Sequence, residues 1–243
     1  MTGNLTGPWW RSPAVPAALG VGAGTLYANF VVDWARRGSA SLGHVVSELA
    51  APGEPQAWIY RAGEVGCAAL VLPLLPTVRA GLPAGLGREV VAVATAVFAA
   101  GATAAAVVPT PCGPGVVREE VDRRPRSNLH DGASIVSDVA LYLGVAAAWA
   151  TTRRRGPGWF HRAAGWVLWL GTGSNLAAGY ARPVAGRRWL GGVSQRVNIL
   201  TISAWLCCLG LIGAQAVRDR SAPPREAGLS PATPAPFPAA PTP

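Results

Sequence analysis

The residues best suited to chemistry gather in one stretch, His130-Asp131-Gly132-Ala133-Ser134, followed by Ser137 and Asp138. Positions 130, 134, 137 and 138 share one helical face, because residues three and four apart are neighbours on a helix surface. Imidazole, hydroxyl and carboxyl groups in that arrangement could move protons, hold a polar ligand, or form a buried hydrogen-bond network. Asp131 would sit near a helix N-terminus, where the backbone dipole favours negative charge. Two readings stay open: a helix cap above a polar network, or the roof of a site with Asp138 deeper in. A Ser134-His130-Asp138 triad is disfavoured, since the three form a ladder along one helix and no nucleophile-elbow sequence accompanies them.

Three more patches could contribute. Ser47 and Glu48 precede the turn signal Pro52-Gly53, and Gln195-Arg196 stands just before another apolar run. Arg196 is a natural partner for Glu48 or Asp131. Arg61 and Glu64, three apart, could form an ion pair that fixes helix packing. Cys67, Cys112, Cys207 and Cys208 form no CxxC, so redox or metal roles are not expected of them. There is no phosphate-binding loop and no dinucleotide fingerprint. No cofactor is expected.

Long apolar runs must position these groups. A bilayer-spanning helix needs about 20 mostly apolar residues. Six windows of that kind occur, at about 13–33, 58–78, 89–108, 131–151, 159–178 and 198–217. Half of the 243 residues are apolar and 14% are charged, against about 25% in ordinary soluble domains. A soluble bundle of Ala-rich helices would show charged faces, and VVAVATAVFAAGATAAAVV has none. The fifth window, with LWLGTGSNLAAG, is the weakest. Trp34, Trp58, Trp149 and Trp159 lie near span ends, where amphipathic rings favour the water–lipid boundary. Trp166, Trp169 and Trp205 lie inside spans and are expected to pack. Gly20 and Gly24 would let helix backbones approach closely. The expected fold is therefore all-α, a polytopic transmembrane bundle of six helices over residues 13–217. An N-terminal segment (1–12) precedes it, and a Pro-rich disordered tail (218–243) follows. The N-terminus reads as a retained first helix rather than a cleaved signal.

Six spans put both termini on one face, with the loops around 79–88 and 153–158. The longer loops, 35–57, 109–130 and 179–197, gather on the opposite face, where a site is expected. His161 falls on the terminal face, so a zinc site of three His, which would need His44, His130 and His161 together, is excluded. A two-His-plus-carboxylate set of His44, His130 and Glu48 stays open. Basic residues divide almost evenly between the faces, and all are Arg. The dense Arg153-Arg154-Arg155 cluster in a short loop points to cytoplasmic termini. A net charge of +9 suits anionic lipid headgroups rather than nucleic acid. The all-Arg, Ala-rich usage points to the cell membrane of a GC-rich bacterium.

An ordered series of motifs runs along this frame. It comprises Ser47-Glu48-Leu49 with the following Pro52-Gly53, Val107-Val108-Pro109 after the third span, Asn128-Leu129-His130-Asp131-Gly132-Ala133 opening the fourth, and Gln195-Arg196 opening the sixth. This series resembles domain-of-unknown-function family 998, six-span prokaryotic membrane proteins, over about residues 13–217. The resemblance implies an acidic residue soon after Pro109, where this chain has Thr110-Pro111-Cys112-Gly113. It implies a fold and a location but no reaction. The expected function is that of a membrane protein binding lipid or a small ligand at the mouth of loops 1, 3 and 5, through Ser47, Glu48, His130, Asp131, Asp138, Gln195 and Arg196. A small transporter or channel, or a membrane-embedded enzyme, is the alternative.

Overall fold

The computed structural model describes residues 12–114, 125–181 and 188–222. Among these, every regular element is helical. The chain order is α1 (Ala14–Tyr27), α2 (Val31–Arg37), two 3-10 turns (Gly38–Gly43 and Val46–Ala50), α3 (Ala57–Val71), a 3-10 turn (Leu72–Leu74), α4 (Leu75–Gly81), α5 (Leu86–Val107), α6 (Pro125–Arg155), α7 (Gly158–Ala181) and α8 (Arg188–Ser221). The protein is a membrane-type all-α bundle. Ala57–Gly81, α5, α6 and α8 are each long and apolar enough to cross a bilayer, and α1 with the stretch Val31–Gly43, bent by 44°, adds a fifth candidate. The fifth expected span, α7, has 24 residues. It is not apolar enough to qualify, because Thr172, Ser174 and Asn175 interrupt it, yet it packs between α6 and α8.

Local sequence explains the breaks. Pro73 and Pro76 lack the amide hydrogen that an α-helix needs, and the second span tightens into a 3-10 turn at Leu72–Leu74 before continuing as α4. After α1, the Asn29 side-chain amide donates to the Tyr60 carbonyl at 3.0 Å, tying the bend to α3. The segment expected as a plain first loop is instead folded into α2 and two 3-10 turns. The expected tail begins inside α8, which runs to Ser221; the remainder lies outside the described residues.

The centre of the bundle is α8, whose Ile202, Trp205, Leu206, Leu209 and Ile212 are buried with Val71, Leu74, Phe98, Val145 and Phe160. Close approach of α1 to α8 depends on glycine. A Cβ on Gly20 would stand 2.6 Å from the Gly210 Cα, and one on Gly24 would stand 2.6 Å from the Ser203 carbonyl oxygen. In lipid, where no hydrophobic effect drives helices together, such contacts carry the packing. Trp205 packs as expected, 1% exposed, but Trp166 and Trp169 are 74% and 70% exposed. Both point outward from α7 with Leu170 and Leu176, forming with Ile135, Val136, Val139 and Leu143 of α6 an apolar exterior suited to hydrocarbon.

Candidate functional site

At the end where α8 begins, Arg196 is buried and reaches across to the segment after α2. Its Nη1 donates to the carbonyls of His44 (2.9 Å) and Gly192 (3.0 Å), and its Nη2 to the carbonyl of Ser41 (2.6 Å). Nη2 also lies 3.8 Å from Asp33 Oδ2, and the guanidinium stands 5.7 Å above the Phe30 ring centroid. The Gln195 side-chain oxygen accepts from the Val46 amide. Gly192 lets the backbone of α8 press against the Leu42 and His44 carbonyls. Three successive contacts thus latch residues 41–46 to α8.

Asp33 is the anion at the centre of that latch. Its carboxylate binds Arg37 Nε at 2.9 Å and faces His44 Nε2 at 3.3 Å. The expected direct partners of Arg196, Glu48 and Asp131, are therefore replaced by Asp33 and backbone carbonyls; Glu48 acts on Arg196 through its field. Ser47 and Glu48 stand half-buried on the turn Val46–Ala50. Burial, the largest effect, pushes the His44 imidazole below its ordinary value, and Asp33 only partly opposes this.

His130 belongs to a different assembly. Its Nδ1–H is shared between the Ala105 (3.1 Å) and Val108 (3.0 Å) carbonyls, which are left over at the C-terminal end of α5. Ser137 Oγ donates to the Phe98 carbonyl at 2.9 Å. These two members of the polar stripe therefore staple α6 to α5. Asp131 is half-buried one residue beyond His130. His44 and His130 serve separate partners, and His44, His130 and Glu48 are not brought together as a metal-ligand set. Where the family resemblance implied an acid after Pro109, Gly113 has the Glu54 carboxylate packed against it, supplied from the first loop.

Asp138 turns the other way, into the bundle. Its Oδ2 accepts from Asn175 Nδ2 of α7 at 3.0 Å and Asn198 Nδ2 of α8 at 3.1 Å. The Tyr142 hydroxyl donates to Asn198 Oδ1 and lies 3.4 Å from Thr201 Oγ1. From α3, the Glu64 carboxyl interacts electrostatically with Asp138, and both act on the Tyr27 hydroxyl of α1. The expected Arg61–Glu64 pair does not form: Arg61 Nε turns back to the Ala57 carbonyl at 3.4 Å. Among the described residues, no basic side chain hydrogen-bonds or pairs with Glu64 or Asp138.

The interior cluster thus draws on five helices and presents two carboxyls, two carboxamides and three hydroxyls. Sequence reasoning found Asp138 and Glu64 but missed Asn175, Asn198, Tyr142, Thr201 and Tyr27, and at the mouth it missed Asp33. The dip in hydropathy along the fifth window was the available signal for Asn175. A lone Asp closing an apolar run looks like a span boundary, which concealed Asp33.

The family model described as "Protein of unknown function (DUF998)" matches residues 20–212. No curated protein matches the chain, and no solved structure does.

Proposed function

The chain belongs to the DUF998 family of membrane proteins of unknown function, and from that premise we propose that it is a small multi-pass carrier that takes up a singly charged cation, the proton included, at Glu64 and Asp138. The observation that carries this reading is the acid pair inside a bundle of apolar helices, with no basic partner among the described residues. A carboxylate at the middle of a membrane helix costs about 2.5–3.5 kcal/mol on insertion scales. The two carboxyls act on each other electrostatically, and two carboxylates would repel, so uptake of one positive charge removes that repulsion. Asn175 and Asn198 hold Asp138 as an acceptor, and the Tyr142, Thr201 and Tyr27 hydroxyls add polar contacts for a hydrated or amine-bearing cation.

The mouth residues serve this centre indirectly in our reading. Ser47, Glu48, Gln195 and Arg196 hold the first loop over one end of the bundle, while His130 and Asp131 close the end of α5. We place the protein in the cell membrane with both termini cytoplasmic; the Arg153-Arg154-Arg155 cluster supports that orientation.

The test is reconstitution into liposomes containing a pH-sensitive dye, with an imposed gradient of protons or of a small monovalent cation. Wild-type protein dissipates the gradient faster than empty vesicles, and Asp138→Asn returns it to the vesicle rate. Equal rates for the two proteins would overturn the proposal.

A second reading, lipid binding, is favoured by one observation. An open groove of about 530 Å³ runs along α5, lined by Leu72, Ala96, Ala100, Thr103, Val107 and Leu129 among others. It suits an acyl chain, and its end at Val108 and Leu129 adjoins His130. Lipid retained on wild-type protein and lost from Ala100→Leu would support it.

A further inference from the structure

The groups around Asp33 contain an imbalance. One carboxylate is met by Arg37 at 2.9 Å, by His44 at 3.3 Å and by Arg196 at 3.8 Å. Asp33, His44 and Arg196 are each at least nine-tenths buried. Asp33 Oδ2, Ser41 Oγ, His44 Nε2 and Arg196 Nε are all buried without a well-aligned hydrogen bond. Two guanidiniums already neutralise and overcompensate the single carboxylate, so among the described residues a third cation at His44 meets no anion besides Asp33.

We propose that His44 is a proton-binding site whose protonation releases residues 38–50 from α8. The segment is held there by Arg196, through the Ser41 and His44 carbonyls, and by Gln195, through the Val46 amide. A positive imidazole beside Arg196 repels the guanidinium that grips its own carbonyl. It also competes with Arg196 for Asp33 Oδ2. Among the described residues, the ionisable groups that act on His44 are Asp33 and Arg37 of α2 and Arg196 of α8. Asp33, Arg36 and Arg37 act in turn on Tyr60, and Glu48 acts on Arg196 from the next turn. Burial holds the latched imidazole below the ordinary histidine range, so any state that exposes His44 binds the proton more tightly. Acid therefore favours release. The first loop covers the end of the bundle opposite the start of α1 and the end of α8, so the latch senses the acidity of that compartment. This site is independent of Glu64 and Asp138.

The experiment is hydrogen–deuterium exchange of residues 38–50 in lipid nanodiscs at pH 7.5 and pH 5.0, comparing wild type with His44→Gln at each pH. The same-pH comparison cancels the chemical dependence of exchange. The ratio of wild-type to variant exchange is expected to rise at pH 5.0, by up to about tenfold for each pH unit that the latched imidazole lies below the free one. An unchanged ratio, or slower wild-type exchange in acid, overturns the proposal. Should His44→Gln not assemble, wild-type exchange in 38–50 relative to the α6–α7 junction at residues 153–158 takes its place, with each segment corrected for its intrinsic rate. That ratio rises in acid if the latch exists and stays level if it does not.

Discussion

Asn198 on α8 sets its side-chain amide 3.1 Å from Asp138 Oδ2 on α6, while its own oxygen accepts the Tyr142 hydroxyl. One carboxamide therefore orients both the carboxylate and the phenol of the interior cluster, and it does so from the helix that also carries Arg196.

Replacing Asn198 by Ala frees two partners at once. Hydrogen bonds between membrane helices average about 0.6 kcal/mol each, with larger values up to about 1.7. Asn198→Ala should lower stability by about 1–2 kcal/mol, read by thermal unfolding in nanodiscs. Tyr142→Phe made in that background should add little, because the two residues share a bond. Full additivity would show that the Tyr142–Asn198 contact contributes nothing.

Arg196→Lys is expected to behave as a disruptive change. Two nitrogens of the planar guanidinium address the Ser41 and His44 carbonyls together, and an ammonium cannot reproduce that fork. Limited proteolysis should cut between residues 38 and 50 faster in Arg196→Lys than in wild type. Arg196→Leu, which leaves Asp33 buried without this cation, should destabilise further, by about 3–5 kcal/mol. Wild-type cleavage rates in Arg196→Lys would contradict the latch geometry.

The glycine contact makes a sharper packing prediction. Gly20→Leu places carbon into the Gly210 backbone and should cost about 1–3 kcal/mol by overpacking. Gly173→Leu, at an exposed position of α7 where a Cβ meets nothing within 4 Å, should be neutral within error. Size-exclusion profiles after graded heating separate the two. Equal loss in both would mean that α1 does not pack on α8 through glycine.

Stability should depend on pH through His44. Its folded-state value is depressed by burial, whereas in the unfolded chain it titrates near 6.5. Between those values the unfolded chain binds more protons, so stability rises with pH there. It is fully present above about pH 6.5 and is lost as pH falls toward the folded value. The melting temperature of wild type should therefore fall more than that of His44→Gln between pH 7.5 and 5.5. Parallel curves would remove His44 from the account.

The spans were legible because hydrocarbon imposes length and apolarity on any helix that crosses it. The fifth window was the weakest for a physical reason: α7 contributes Asn175 to the interior and Trp166 and Trp169 to the exterior. Period alone could group positions 130, 134, 137 and 138 on one face. It could not say that α6 lies between α5 and α7, so that His130 and Ser137 meet carbonyls of α5 while Asp138 meets amides of α7 and α8. Asn198 carries no charge, so a search for ionisable groups at membrane depth passes over it, and a single carboxamide barely lowers the hydropathy of the long apolar run of α8. Arg196 was found, but its partner Asp33 lies more than 150 residues earlier in the chain, and no local pattern links them.

The central claim is that the Glu64–Asp138 pair holds one positive charge within the membrane. A hydrophobic carbodiimide reacts with carboxyls that carry a proton at membrane depth, and the modified residue can be located by mass spectrometry of the purified protein. In wild type at neutral pH, the account predicts modification confined to Glu64 or Asp138, slowed by a competing monovalent cation and abolished in the Glu64→Gln/Asp138→Asn double variant. A wild-type protein that remains unmodified at both positions in cation-free buffer would contradict it.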